Sequence, residues 1–177
     1  MQRRRKSTRY LAASAILCAI SVILLALGAL IEVLDLSMAA LASLAVVFAV
    51  IEMKGKYPYL IYAVTSVLAL LLLPVKTPAL IYALFAGYYP IVKARCEGHL
   101  KKPLAWLVKL IVFGVGLFVA VFLSLRFFLP SETVAAWHYW LLLIGMPVFV
   151  LYDVALTRLI TVYYARWRRR FVFFRDE

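Results

Sequence analysis

The sequence predicts an all-α membrane protein, a bundle of six transmembrane helices with both termini in the cytoplasm. Composition is the first observation: 67% of the 177 residues are hydrophobic and 16% are charged, whereas a soluble domain has roughly 45–50% and about 25%. The second is the placement of the charges, because long apolar runs alternate with short basic segments. Apolar runs of about 17 to 25 residues match the hydrocarbon thickness of a bilayer. We therefore expect a single multi-pass domain in a cell membrane.

Six apolar segments define the predicted helices. Stretches with Gly, Pro and charge, "EMKGKYP", "LPVKTP", "CEGHLKKP" and "FLPSE", separate most of them, because Gly and Pro end helices and charge keeps a loop in water. The second to fourth segments are short for a bilayer of about 30 Å, so tyrosines at the headgroup level are expected to complete them. The first segment is too long for a signal-peptide core and is expected to be a retained helix. The helices are predicted at about residues 10–31, 36–51, 59–73, 79–92, 104–125 and 139–165, followed by a basic tail over 166–177.

The distribution of basic residues predicts the orientation. With six spans, the opposite side receives only Lys76 and Arg126, together with the acidic Glu32, Asp35 and Glu132. Cytoplasmic loops carry the excess of Lys and Arg, so both termini are expected in the cytoplasm, with their arginine clusters against anionic lipid headgroups. The basic residues predicted on the cytoplasmic side are Arg3, Arg4, Arg5, Lys6, Arg9, Lys54, Lys56, Lys93, Arg95, Lys101, Lys102, Arg166, Arg168, Arg169, Arg170 and Arg175.

Several classes of function are not favoured by the sequence. The net charge of +12 is divided among loops between apolar runs, so it does not form the basic face of a nucleic-acid-binding domain. The sequence contains no P-loop, GxSxG or HExxH motif, and Cys18 and Cys96 lack metal-ligand spacing. We therefore expect no enzyme activity, no cofactor and no metal.

Asp153 is the most conspicuous polar residue inside a predicted span. An ionisable side chain deep in hydrocarbon costs at least about 2.5–3.5 kcal/mol, so it requires an explanation. Thr157 follows at i+4 on the same helix face. A ligand or coupling-ion role for Asp153 is one interpretation. A buried polar contact between helices, with Lys109 as the candidate partner, is the interpretation that its depth favours.

Small residues follow one another in the first helix. Ala15 and Ala19 lie four residues apart in "LAASAILCAISV", with Ala12, Ser14 and Cys18 nearby. Small residues at this spacing let a second helix approach the backbone closely. Packing inside the bundle and docking of another subunit both remain open, and the spacing alone favours internal packing.

The predicted outer end combines charged and aromatic residues. Aromatic rings there are expected as an interfacial belt, and small-molecule sites also combine an apolar cleft with a few polar groups. His138 alone does not make a metal site. The candidate ligand-binding residues at this end are Glu32, Asp35, Lys76, Thr77, Glu132, His138, Tyr139 and Trp140.

Two stretches resemble the first three helices of a known transporter family: "STRYLAASAILCAISVILLALGALIEV", with alanines at four-residue spacing, and "LDLSMAALASLAVVFAVIEMKGKYPYLIYAVTSVLALLLLP". That family is the substrate-binding S components of energy-coupling factor (ECF) vitamin transporters. The size, the six predicted spans and the cytoplasmic termini agree over the whole chain. The usual glycine-rich turn between the second and third helices is reduced to Gly55, and the sequence also resembles uncharacterised small membrane proteins of Gram-positive bacteria.

The resemblance implies that the chain captures a small water-soluble molecule from outside while a membrane coupling subunit and two ATPases supply the energy. It makes Ala12, Ala15 and Ala19 the docking surface for that subunit and the outer loops a lid over the ligand. The resemblance also implies that Tyr82, Tyr139 and Trp140 are walls of the ligand pocket. The alternative is a membrane scaffold or assembly protein that binds other helices or lipids. That alternative predicts no pocket, with the outer helix ends closed by aromatic rings.

Overall fold

The computed structural model describes residues 2–53, 55–127 and 134–167, without the side chains of 2–7, 32, 99, 102, 120–121, 123–127, 134–143 and 167. Over this part of the chain the structure consists of helices and turns, without a β-strand, which confirms the predicted all-α class. The elements are α1 (Gln2–Leu30), a 3₁₀ turn (Glu32–Leu34), α2 (Asp35–Glu52), α3 (Tyr57–Leu72), α4 (Thr77–Ile81), a π-helical turn (Tyr82–Ala86), α5 (Tyr89–His99), α6 (Lys102–Phe127), α7 (Val134–Val162) and a second π-helical turn (Tyr163–Trp167).

Within the described residues, three helical stretches are long and apolar enough to cross a membrane. They are Thr8–Leu30, Asp35–Glu52 and Ile144–Arg166, and Tyr57–Leu72 and Pro103–Val119 are shorter apolar helices. Large apolar side chains on these helices face outward; Leu71 and Leu151 are each 74% exposed. A soluble monomer rarely exposes such extensive apolar surface, and a bilayer covers it. These features are those of a membrane protein, and the number of six spans stays a prediction.

The fourth predicted segment differs from the structure. The sequence predicts one helix over 79–92 and then a loop, whereas α4 ends at Ile81, a π-helical turn follows, and α5 continues to His99. Pro90 lies in the first turn of α5, where its missing N–H is not needed. The loop predicted at "CEGH" is wrong because Glu97 pairs with Lys93 one helical turn earlier, a contact that supports helix.

The chain divides into two compact units, Met1–Val112 and Phe113–Glu177. In the first unit, α1 packs along α2 and α3 through small and polar side chains. The Ser21 hydroxyl donates to the Ala42 carbonyl at 3.2 Å, and the Cys18 thiol lies 3.8 Å from the Ile61 carbonyl. Hydroxyls that bond across helices stabilise packing in a membrane, where hydrophobic burial gives little driving force.

Gly55 forms the turn between α2 and α3. Its φ angle is +63°, a left-handed conformation that costs other residues roughly 1–2 kcal/mol. An added Cβ would meet nothing within 4 Å, so the backbone conformation rather than crowding selects glycine here.

The second unit begins at Phe113 inside α6, and this part of α6 packs on α7. The rings of Phe113 and Phe149 are stacked with centroids 4.5 Å apart. A Cβ on Gly145 would lie 3.4 Å from Phe113 Cζ and 3.5 Å from Leu117 Cδ2, which are ordinary contact distances, so α7 lies within van der Waals reach of α6 here. Pro147 lies inside α7 two residues later.

Candidate functional site

Two faces of α1 carry small residues, and the structure separates their roles. Ser14, Cys18 and Ser21 are buried against α2 and α3. Ala12, Ala15 and Ala19 are all exposed. The alanines are therefore exposed in the first unit, and packing inside the bundle and docking of another subunit both stay open.

The exposed alanines belong to a longer surface than the sequence analysis identified. At about 100° per residue, Thr8, Val22 and Ala26 lie on the same face as the three alanines, within an arc of about 80°. Thr8 is exposed, and Val22 and Ala26 are half-buried. We name this surface the α1 stripe; it consists of Thr8, Ala12, Ala15, Ala19, Val22 and Ala26.

The predicted outer end of the first unit joins three helix ends. A Cβ on Gly28 would lie 3.0 Å from Met38 Cβ and 3.5 Å from Pro78 Cβ, so the end of α1 meets the starts of α2 and α4. Asp35 is the first residue of α2 and is half-buried, and Thr77 is the first residue of α4 and is exposed. Glu32 lies in the adjoining 3₁₀ turn. These three predicted ligand-binding residues therefore belong to one end of the unit.

Lys76 has a structural role at this end. Its ammonium group donates to the Leu70 carbonyl at 2.7 Å and to the Leu73 carbonyl at 2.5 Å. Leu70 lies in the last turn of α3 and Leu73 directly follows that helix, where the helix dipole is negative and carbonyls lack intrahelical partners. Lys76 thus caps α3, and its predicted contact with a ligand stays a prediction.

We expect Lys76→Met to lower the free energy of unfolding by about 1 kcal/mol, because two carbonyls lose a charged donor and the dipole loses a cation. Thermal unfolding in detergent measures the effect. The matched control is Lys101→Met, since Lys101 is also at a helix boundary and is exposed. Equal melting temperatures for the two variants would contradict the capping role.

Tyr82, predicted as a pocket wall, is completely buried. Its ring lies 6.3 Å from that of Tyr62, which is in turn 6.2 Å from that of Tyr88. The Tyr62 hydroxyl donates at 2.7 Å to the Ala83 carbonyl inside the π-helical turn. Tyr62 and Tyr82 both pack on Gly87. Tyr82 therefore belongs to a packed aromatic cluster formed by α3, the π-helical turn and Tyr88, which directly precedes α5.

Sequence reasoning missed Tyr62 and Gly87. The available signal was "FAGYYP", in which a glycine precedes two tyrosines and a proline inside an apolar segment. A glycine at such a position marks close approach by another group, but the sequence does not say which one.

The other predicted residues at the outer end lie in the second unit. Glu132 is outside the described residues, and His138, Tyr139 and Trp140 lie in α7 without described side chains. Their convergence with the residues of the first unit stays a prediction.

Asp153 is 3% exposed and Lys109 is 2% exposed, as expected for polar groups inside a bundle. The Thr157 hydroxyl donates to the Asp153 backbone carbonyl at 2.8 Å, and the Thr157 side chain is exposed. Lys109 donates to Glu97 of α5, a partner that sequence analysis did not identify. The contact predicted between Lys109 and Asp153 stays a prediction.

No group of three or more His, Cys, Asp or Glu side chains with metal-binding geometry occurs in the described part of the chain. Cys18 and Cys96 are both buried free thiols.

Comparison of the chain with protein-family models, with curated proteins and with solved structures finds no match.

Proposed function

We propose that the chain is the substrate-capture subunit of an ECF-type uptake transporter in a bacterial cell membrane, with a small water-soluble molecule such as a vitamin as its ligand. The exposure of the α1 stripe carries this proposal. A stripe of small residues along most of a membrane helix permits close approach of another helix, and Ala12, Ala15 and Ala19 are exposed in the first unit. A coupling subunit is the partner that the sequence resemblance supplies for this surface.

The proposed topology has six spans and cytoplasmic termini. Single cysteines introduced at Lys76 and Glu132 are expected to react with an impermeant thiol reagent added outside intact cells. Cysteines introduced at Lys56 and Lys101 are expected to react only after the membrane is opened, because basic loops remain in the cytoplasm. The reverse pattern would contradict the orientation and the outward-facing capture site.

The capture of a ligand is tested by mass spectrometry of small molecules released when the purified protein is unfolded. A tightly bound metabolite at one molecule per chain would support capture.

The docking of a coupling subunit is tested separately, by copurification from the native host with Ala15→Trp and Ala19→Trp. The matched control is Ala63→Trp, because Ala63 is an exposed alanine on α3. Loss of copurification in the α1 variants alone is the expected result.

The second candidate is a membrane scaffold or assembly protein. The aromatic cluster of Tyr62, Tyr82 and Tyr88 favours it, because Tyr82 is completely buried beside other rings, whereas the wall of a ligand pocket would border an open space. A scaffold would also use the α1 stripe, so Ala15→Trp would weaken its partner contacts too. The released-metabolite measurement separates the two functions, since only capture requires a small molecule.

A further inference from the structure

A cluster of three charged side chains joins α5 to α6. The Lys93 and Lys109 ammonium groups lie 3.1 Å and 2.5 Å from the same carboxylate oxygen, Oε1 of Glu97. The lysine side chains are 2% and 3% exposed, whereas the Glu97 side chain is 45% exposed. Two buried cations thus hold one anionic oxygen at the protein surface.

The cluster lies near the loop between the two helices. At 1.5 Å per residue, Lys93 is about 9 Å from the end of α5 and Lys109 is about 10 Å from the start of α6. That loop carries the basic Lys101, and positive-inside topology places it in the cytoplasm. The cluster is therefore closer to the proposed cytoplasmic interface than to the bilayer centre, at a depth that long lysine side chains span.

The surrounding residues are basic and aromatic. From residue 93 to 109 the sequence has five Lys or Arg residues and one acidic residue, Glu97. The Arg95 guanidinium lies 5.1 Å from the centre of the Tyr59 ring, and Lys109 Nζ lies 5.4 Å from that of Trp106. Tyr and Trp rings are enriched at the headgroup level, and a cation is attracted to the face of such a ring.

Glu97 Oε1 marks a position where an anionic oxygen is bound by two donors. A phosphate diester carries the same single negative charge as the carboxylate and has two oxygens, one for each ammonium group. Since Glu97 is the exposed member of the cluster, its side chain can turn outward and leave the lysines to an incoming anion. We propose that the Lys93–Glu97–Lys109 cluster is a phosphate-binding site, filled by an anionic phosphate ester in exchange for the Glu97 carboxylate.

The test compares lipid retention among variants reconstituted in nanodiscs of phosphatidylglycerol or phosphatidylcholine and analysed by native mass spectrometry. Glu97→Gln removes the competing anion and is expected to raise phosphatidylglycerol retention by about fivefold, the effect of one charge near an anionic surface. Lys93→Gln and Lys109→Gln are expected to lower it by a similar factor. The control Lys101→Gln removes an exposed lysine of the adjacent loop and is expected to change it less than about twofold.

The source of the phosphate is identified by adding soluble glycerol phosphate. Displacement of the lipid would assign the site to a soluble phosphate ester, and retention would assign it to the phospholipid headgroup. Equal phosphatidylglycerol retention by Glu97→Gln and the wild type would overturn the proposal, and this variant remains informative if the lysine variants do not fold. The outcome is independent of the proposed transport function, which the released-metabolite measurement addresses.

Discussion

Replacing Gly87 with alanine is expected to lower the free energy of unfolding by about 2 kcal/mol, within the range for overpacking a tight core. An added Cβ would lie 2.7 Å from Tyr62 Cδ2 and 2.8 Å and 2.9 Å from two ring atoms of Tyr82. Rings are rigid and Tyr82 is completely buried, so relief requires movement of α3 or of the π-helical turn. The Tyr62 hydroxyl would then lose its bond to the Ala83 carbonyl.

Gly98→Ala is the matched control, because Gly98 also lies in this helical region and an added Cβ there meets nothing within 4 Å. Alanine has the higher helix propensity by about 0.8–1 kcal/mol, so this variant is expected to be as stable as the wild type or more stable. Thermal unfolding in detergent, followed by circular dichroism, measures both. Equal stability of Gly87→Ala and Gly98→Ala would contradict the close packing.

A double variant tests whether the aromatic ring causes the loss. Tyr62→Ala removes one of the two rings that the new Cβ meets, so Gly87→Ala is expected to cost less in the Tyr62→Ala background than in the wild type. Residues in contact show such coupling, by about 0.5–3 kcal/mol. If the losses of unfolding free energy in the two single variants add up in the double variant, the effect of Gly87→Ala arises in the backbone and not in the tyrosine cluster.

The helices themselves could be predicted because composition and breakers are local properties of the sequence. Apolar runs bounded by Gly55, Pro74 and Pro103 gave ends close to those of α2, α3 and α6. The extension of α5 to His99 could not be predicted from the sequence, since "CEGHLKKP" has the composition of a loop. Glu97 is held in helix by Lys93 on its own helix and by Lys109 on the next one, and the second contact exists only after folding.

The orientation of α1 shows a second limit of sequence reasoning. Ser14, Cys18 and Ser21 follow one another three or four residues apart, as do Ala12, Ala15 and Ala19, so periodicity alone does not distinguish the buried face from the exposed one. The difference is chemical: Ser21 and Cys18 direct polar groups at carbonyls of α2 and α3, whereas alanine has none to satisfy. Ser14 and Ser21 also donate to carbonyls of α1 itself, so burial of this face leaves neither hydroxyl without an acceptor, and the alanines remain outside.

Asp153 provides the second prediction of large effect. This carboxyl-bearing side chain is 3% exposed within the apolar stretch Ile144–Arg166. A buried carboxylate is stable only when it is paired and hydrogen-bonded, and truncating one partner of such a contact costs about 3–5 kcal/mol. We therefore expect Asp153→Ala to lower the free energy of unfolding by about 3 kcal/mol, and Asp153→Asn by less, because the amide keeps the shape and one acceptor.

The expected signature of this structural role is a loss of stability without a loss of ligand affinity. Thermal unfolding in detergent is expected to show lower midpoints for both variants, while binding of any metabolite found with the wild type changes less than about threefold. Thr157→Ala is the matched control one turn away, because Thr157 is exposed and its hydroxyl bonds to the Asp153 backbone carbonyl; it is expected to change stability by less than about 0.5 kcal/mol. Complete loss of binding by Asp153→Asn at an unchanged melting temperature would instead make this carboxyl group a ligand or coupling-ion site.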